Sequence, residues 1–178
     1  MTHSIITITG HLGSGKSTVA KILAEKLGWQ YYSTGMAQRL IAQRRGVSTT
    51  ELMQLAIKDS SIDAEIDGVY QNPPWGQNPC VVDSRLAFHF LPDSLKVCLQ
   101  VDTTIAAGRI FAEKERLSEH YADEKEALTY LQKRHALEKR HFLDLYQLDI
   151  TDLSQFDLVI DTTHLNPDEV CAKILAAL

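Results

Sequence analysis

Cysteine is scarce. The three cysteines of this 178-residue chain, Cys80, Cys98 and Cys171, stand far apart and form no C-x-x-C pair. A disulfide framework and a close-spaced thiolate metal site are therefore not expected, and the apolar stretch around each cysteine suits a buried free thiol. An excess of basic residues is missing too: 18 Lys and Arg against 23 Asp and Glu leave a formal net charge of −5. That balance lacks the electrostatic footprint of a protein that binds a nucleic acid polymer. No apolar run is long enough to span a membrane, and Met1, Thr2 and His3 are too short and uncharged for a signal peptide. The expectation is a cytoplasmic protein that meets neither a membrane nor a nucleic acid polymer. The acidic balance and the lack of an evident apolar patch lean to a monomer. No Asn-Lys-x-Asp sequence occurs, which argues against a guanine-specific switch. The seven histidines offer no metal-ligand spacing; His135 and His141 lie six apart, on different faces of a helix. Low-complexity tracts and internal repeats are absent.

What remains is ordinary globular composition, 44% hydrophobic and 23% charged, at a length that suits one domain with a proper core. Within it, Gly10, His11, Leu12, Gly13, Ser14, Gly15, Lys16 and Ser17 fit G-x-x-x-x-G-K-[ST]. The context is right on both sides. A β-branched run at 4–9 reads as a buried strand, and Val19, Ile22, Leu23 and Leu27 recur at helical spacing until Gly28, a C-cap. A strand, a glycine-rich turn and a helix N-terminus make an anion cradle, in which backbone N–H groups and the helix dipole converge on phosphate oxygens. Gly10, Gly13, Ser14, Gly15, Lys16, Ser17 and Thr18 are the expected triphosphate contacts. Lys16 is expected to reach the β- and γ-phosphates and the Ser17 hydroxyl to hold Mg²⁺.

Further along, 29–33 reads as a second strand, followed by a helix over 36–45 that Gly46 stops. Ser48 and Glu51 form a capping box, and Ser60–Ser61 precedes a short helix carrying Ile62, Ile66, Val69 and Tyr70. Residues 72–79 are the strongest loop signal. Strands are predicted at 80–83, 95–101 and 156–160, with a long charged helical stretch over 104–146 broken near 120–123. Asn166, Pro167, Asp168 and Glu169 open a terminal helix. Strands alternating with helices imply a mostly parallel sheet covered on both faces, with ligands at the C-terminal strand ends. Three of those ends carry the phosphate loop, Asp83 and Asp161.

Asp83, ending an apolar strand, is the expected second Mg²⁺ partner. Arg39 and Arg85 fall near the phosphate end of the sheet, while Arg109, Arg116, Arg134 and Arg140 punctuate the charged helical stretch among interleaved glutamates. Arginine suits bidentate phosphate binding, and transfer between two phosphates needs such neutralisation in a water-poor site. A hydroxyl acceptor usually wants a carboxylate base, whereas a phosphate acceptor, with a second pKa of about 6, is already ionised. The arginine set leans towards a phosphate acceptor, although Asp83 or Asp63 is available as a base.

The chain resembles the nucleoside monophosphate kinases, most closely the short cytidylate kinase-like family, over nearly its whole length. The resemblance is carried by the phosphate loop, by Tyr32-Ser33-Thr34-Gly35 with Arg39, and by Ile62-Asp63-Ala64-Glu65-Ile66-Asp67. It continues through Val82-Asp83-Ser84-Arg85-Leu86-Ala87, Arg134-x-x-x-Glu138-x-Arg140, and Tyr146-x-x-Asp149-Ile150-x-Asp152-Leu153, which runs on to Asp161 and Thr162. The resemblance implies an α/β P-loop NTPase fold of three layers with a five-stranded parallel sheet. The core would be 1–35, 80–105 and 147–178, with a helical acceptor-binding insertion at about 36–79 and a lid at about 106–146. It implies an ATP- and Mg²⁺-dependent kinase acting on a pyrimidine monophosphate, CMP or dCMP. Lys16, Arg85, Arg134 and Arg140 would be catalytic, Arg109 would join the ATP phosphates, and Ser33, Gly35, Arg39, Asp63 and Arg85 would hold the acceptor. Two departures stand out: Met36 where many relatives carry Asp, and Ser84 where Gly is frequent. Alternatives are a kinase of the same fold with a hydroxyl acceptor, and a nucleotide-binding regulator without catalysis.

Overall fold

The structure, a computed structural model, describes residues 3–113 and 121–178. Five strands form one sheet: β1 (Ile5–Gly10), β2 (Gln30–Ser33), β3 (Cys80–Asp83), β4 (Leu95–Gln100) and β5 (Leu158–Asp161). All neighbours are parallel, in the order β2-β3-β1-β4-β5. The central strands β1, β3 and β4 are rich in apolar residues because both faces are covered. In β4, Val97 and Leu99 join one cluster, while Cys98 between them joins another with Phe142 and Phe156. In β3, Val81 faces the first cluster and Cys80 and Val82 face Trp75 and Ala87.

The first cluster is closed by α1 (Lys16–Leu27) and α8 (Pro167–Ala177), through Val19, Ala20 and Leu23 with Val170, Cys171 and Ile174. Both helices have the ends their sequences predict. Gly28 adopts the left-handed conformation after α1, and Asn166 and Glu169 make a capping box before α8. On the other face lie α5 (Ala87–Phe90), α6 (Thr103–Ala112) and the 23-residue α7 (Glu124–Tyr146). Between β2 and β3, α2 (Thr34–Arg45), α3 (Thr49–Ala56) and α4 (Ser61–Asp67) bury Ile41, Leu52, Ile62 and Ile66 in a small core of their own.

Differences from the sequence reading are local. The last strand begins at Leu158, two residues later than predicted, because Phe156 packs on Phe88 and the Asp157 N–H reaches the Lys96 carbonyl. The helix expected over 36–45 starts at Thr34, directly after β2. The four-residue α5 is too short to leave a periodic signal. No helix among the described residues is long and apolar enough to cross a membrane.

Gly10 has φ near 140°, and a Cβ there meets the Leu99 carbonyl oxygen at 2.1 Å. Neither strand can retreat, since both sit in the middle of the sheet. Gly10→Ala is expected to cost roughly 3 kcal/mol from strain and overpacking. In a thermal melt this reads as a fall of about 10 °C for a domain of this size.

Candidate active site

The turn after β1 bends over the start of α1 and presses against α6. A Cβ on Gly13, at φ 78°, lies 2.7 Å from the Ala106 carbonyl oxygen, so only glycine fits there. The α1 N-terminus has no side-chain cap and no acidic residue in its first turn, which leaves its N–H groups and positive dipole end uncompensated. Lys16 Nζ folds back to donate to the His11 carbonyl at 2.8 Å. Ser14 Oγ is buried and has no hydrogen-bond partner among the described residues. A buried hydroxyl beside open N–H groups is matched by an acceptor-rich anion in the cleft.

Asp83, at the end of β3, is paired in register with Ser33 of β2 and Ile8 of β1. Its Oδ2 accepts from Ser17 Oγ at 2.6 Å, Ser33 Oγ at 3.2 Å and Tyr31 Oη at 3.4 Å. The Ser17 hydroxyl and the Asp83 carboxylate are both hard oxygen donors at hydrogen-bond distance from one another, a set that fits Mg²⁺. Burial and the neighbouring Asp83 charge push the Tyr31 hydroxyl up, so it stays a donor to this carboxylate.

The P-loop sits at mid-sheet in a cleft of about 470 Å³. Towards β2 the cleft is lined by Ser33, Gly35, Gln38 and Arg39; towards β5 by Arg109, Thr162, Leu165, Pro167 and Val170. Asp83, Arg85, Arg134 and Glu138 face the middle, with Lys16, Ser17 and Thr18. Arg85 Nε and Arg134 Nε each contact a different oxygen of Glu138 at 3.0 Å. Burial pushes the Glu138 carboxyl up, but Arg85 and then Arg134 pull harder, and the net direction is below the usual carboxylate range. Glu138 is therefore ionised. Arg109 bonds the carbonyls of Thr162 (2.8 Å), Gly13 (3.3 Å) and Thr163 (3.3 Å), so it ties the P-loop to the turn after β5.

Two expected site residues stand elsewhere. Arg140 is exposed and pairs with Asp144, because it lies two residues past Glu138, roughly 200° around α7 from the cleft-facing side. Asp63 is on the buried face of α4, where its Oδ2 meets His141 Nε2 at 2.9 Å beside a cavity of about 20 Å³. It lines that cavity and not the cleft. Gly10 backs the P-loop without lining the cleft, and the Asp161 carboxylate is turned to Thr163. Arg116 lies outside the described residues. Sequence reasoning missed Gln38 and the central place of Glu138, although the Arg134–Glu138 spacing of four was a usable signal. It also missed the His11–His135 edge-to-face contact, with ring centroids 4.3 Å apart. Burial chiefly, then His135, Arg85 and Lys16, hold the His11 imidazole down at about 4, so it is neutral at physiological pH.

Beside Asp63, Asp67 accepts from Tyr146 Oη. Burial first, and then Asp63, push the Asp67 carboxyl up to about 6, against the lowering effects of Tyr146 and His141. A carboxyl raised in the folded state adds stability when protonated, fully below about 4, and that stability is lost as pH rises through about 6. Asp67→Asn keeps the acceptor and never ionises. Its melting temperature is expected to match the parent at pH 3.5 and to exceed it by roughly 8 °C at pH 8, since moving a carboxyl from about 4 to about 6 is worth about 3 kcal/mol.

The model of the cytidylate kinase-like family matches residues 5–164. The cytidylate kinase of Sulfolobus acidocaldarius is 38% identical over 176 residues, 97% of this chain and 93% of that protein. Among solved structures, an uncharacterized protein from Eubacterium ventriosum superposes with a TM-score of 0.69 at 21% identity, covering 97% and 96% of the two chains. The shikimate kinase of Bacteroides thetaiotaomicron gives 0.63 at 16% identity and 98% of each chain. These likenesses of structure show a shared α/β fold and nothing more. With the family model spanning sheet, cleft and arginine set, the chain belongs to the cytidylate kinase-like family and is a phosphotransferase of the nucleoside monophosphate kinase class.

Proposed function

We propose that this enzyme transfers the γ-phosphoryl group of ATP to a pyrimidine nucleoside monophosphate, CMP or dCMP. The observation that carries this reading is the placing of Lys16, Arg39, Arg85 and Arg134 around one cleft, with the P-loop between its two ends. The triphosphate lies along the P-loop N–H groups, Lys16, Ser14 and Thr18, with the donor nucleoside towards Leu165, Pro167 and Val170. Arg109, tied to Thr162, steadies that end. Arg39 and Arg85 take the acceptor phosphate, with Ser33 and Gly35 beside it, and the 36–79 segment holds its nucleoside. Mg²⁺, held by Ser17 and Asp83, supplies charge neutralisation at the transferring phosphate.

A phosphate acceptor is supported by the engagement of two of the three carboxylates that line the cleft, Asp83 and Glu138, the third being Glu113. Asp83 already receives three hydroxyls, and Glu138 is committed to two guanidiniums. An ionised phosphate oxygen needs no base, only two reactants held in line and their repulsion offset. The cytidine preference rests on likeness to the S. acidocaldarius cytidylate kinase. The test is ADP formation from ATP–Mg²⁺ against a panel of ribo- and deoxyribonucleoside monophosphates. Turnover led by CMP or dCMP is the expected result. Turnover led by another monophosphate overturns the base assignment alone, and silence with ATP still bound overturns the acceptor class.

A further inference from the structure

Glu138 is the most deeply buried charge in the cleft wall, with 4% of its side chain exposed. One carboxylate there joins two guanidiniums from distant parts of the chain: Arg85 from the turn after β3, and Arg134 one turn earlier on α7. We propose that Glu138 is a positioning residue for phosphoryl transfer, fixing Arg85 and Arg134 side by side so that the acceptor phosphate meets a pre-set pair. The inference rests on the reading that these arginines bind that phosphate.

The geometry has three consequences. First, both contacts use the Nε edge, so Glu138 grips each guanidinium from behind. Held at Nε, Arg85 can offer its terminal nitrogens to a phosphate. Second, two guanidiniums so close repel one another. The buried carboxylate between them offsets that repulsion. Third, Arg134 Nη1 donates to Tyr130 Oη at 2.7 Å, and Tyr130 Oη lies 3.3 Å from Thr50 Oγ1 on α3. A continuous polar chain therefore runs from the helical insertion through Arg134 and Glu138 to Arg85. A buried ion pair is a poor way to stabilise a fold, since well-packed apolar groups do as well, whereas it does fix orientation.

The test uses the full chain and the monophosphate that gives best turnover. Glu138→Gln keeps the shape and removes the charge. Its kcat/KM for the acceptor is expected to fall on the order of 10²-fold, the cost of a small misplacement. The KM for ATP should stay within about threefold, because the P-loop is untouched. Arg134→Ala is then expected to cost much less in the Glu138→Gln background than in the parent, since its partner has already lost its hold. Glu138→Asp, which keeps the charge but draws it back by one methylene, should fall between, about tenfold below the parent. It carries the test alone if the glutamine variant does not fold. A purely structural role predicts a lower melting temperature with unchanged kinetics per folded molecule. That result, an equal cost of Arg134→Ala in both backgrounds, or parent-like Glu138→Asp kinetics overturns the proposal. Arg85→Ala and Arg134→Ala in the parent separate the two readings. If neither raises the acceptor KM, the arginines do not bind that phosphate; if either does and Glu138→Gln is silent, only the role of Glu138 fails.

Discussion

Lys16→Ala is expected to lower turnover 10²–10³-fold, the loss seen when one pre-placed charge partner of a transition state is removed. The side chain is free to go without damage to the fold. Its Nζ donates to the His11 carbonyl within the P-loop, and Lys16 itself sits at the first position of α1, where alanine is a good helix former. The expected split is a fall in kcat, with the acceptor KM changed little and the melting temperature held within a few degrees. Steady-state rates against ATP and a scan of the purified variant measure both. Near-normal turnover would remove Lys16 from the chemistry and leave the P-loop as a binding element alone.

Arg85→Ala is expected to lower acceptor kcat/KM by a similar 10²–10³-fold, while the KM for ATP stays within about threefold. Arg85 follows β3 by two residues and lines the middle of the cleft beside Glu138. On the proposed function its removal takes away a phosphate contact, and it leaves Glu138 with Arg134 alone. A buried carboxylate with one cation lost is itself costly, so some fall in melting temperature accompanies the kinetic loss. Arg85→Lys separates the two effects. It returns a positive charge near Glu138 but not a planar fork, so stability should recover more than acceptor kcat/KM does. A collapse of ATP affinity in Arg85→Ala would move Arg85 to the donor side.

Most of the frame was legible in the sequence. Four of the five strands announced themselves as apolar runs, the edge strand β2 being half tyrosine, and the helix ends were written in local chemistry: Gly28 and Gly46 in the left-handed region, and capping boxes at Ser48 and Asn166. The phosphate loop was legible for the same reason, because its function lies in consecutive backbone groups. Asp83 was legible because a strand end is a place in the sheet. Side chains on α4 and α7 were harder. The carboxylate of Asp63 and the guanidinium of Arg140 both belong to the right motifs, yet one turns inward to His141 and the other outward to Asp144. A step of two residues on a helix reverses the face, and a pattern of charges does not say which face meets the cleft.

The sequence by itself determined the elements, their caps, the anion-binding turn and the parallel covered sheet, since each depends on interactions within a few residues or on a simple period. Only the tertiary structure decided which charges share the cleft. Arg85 and Glu138 are separated by more than fifty positions and His141 from Asp63 by 78. Their partnership depends on how α7 crosses the sheet and the 36–79 segment. That crossing is set by the packing of apolar faces, with Phe142 against Cys98 and Phe156, and not by the charges that it brings together.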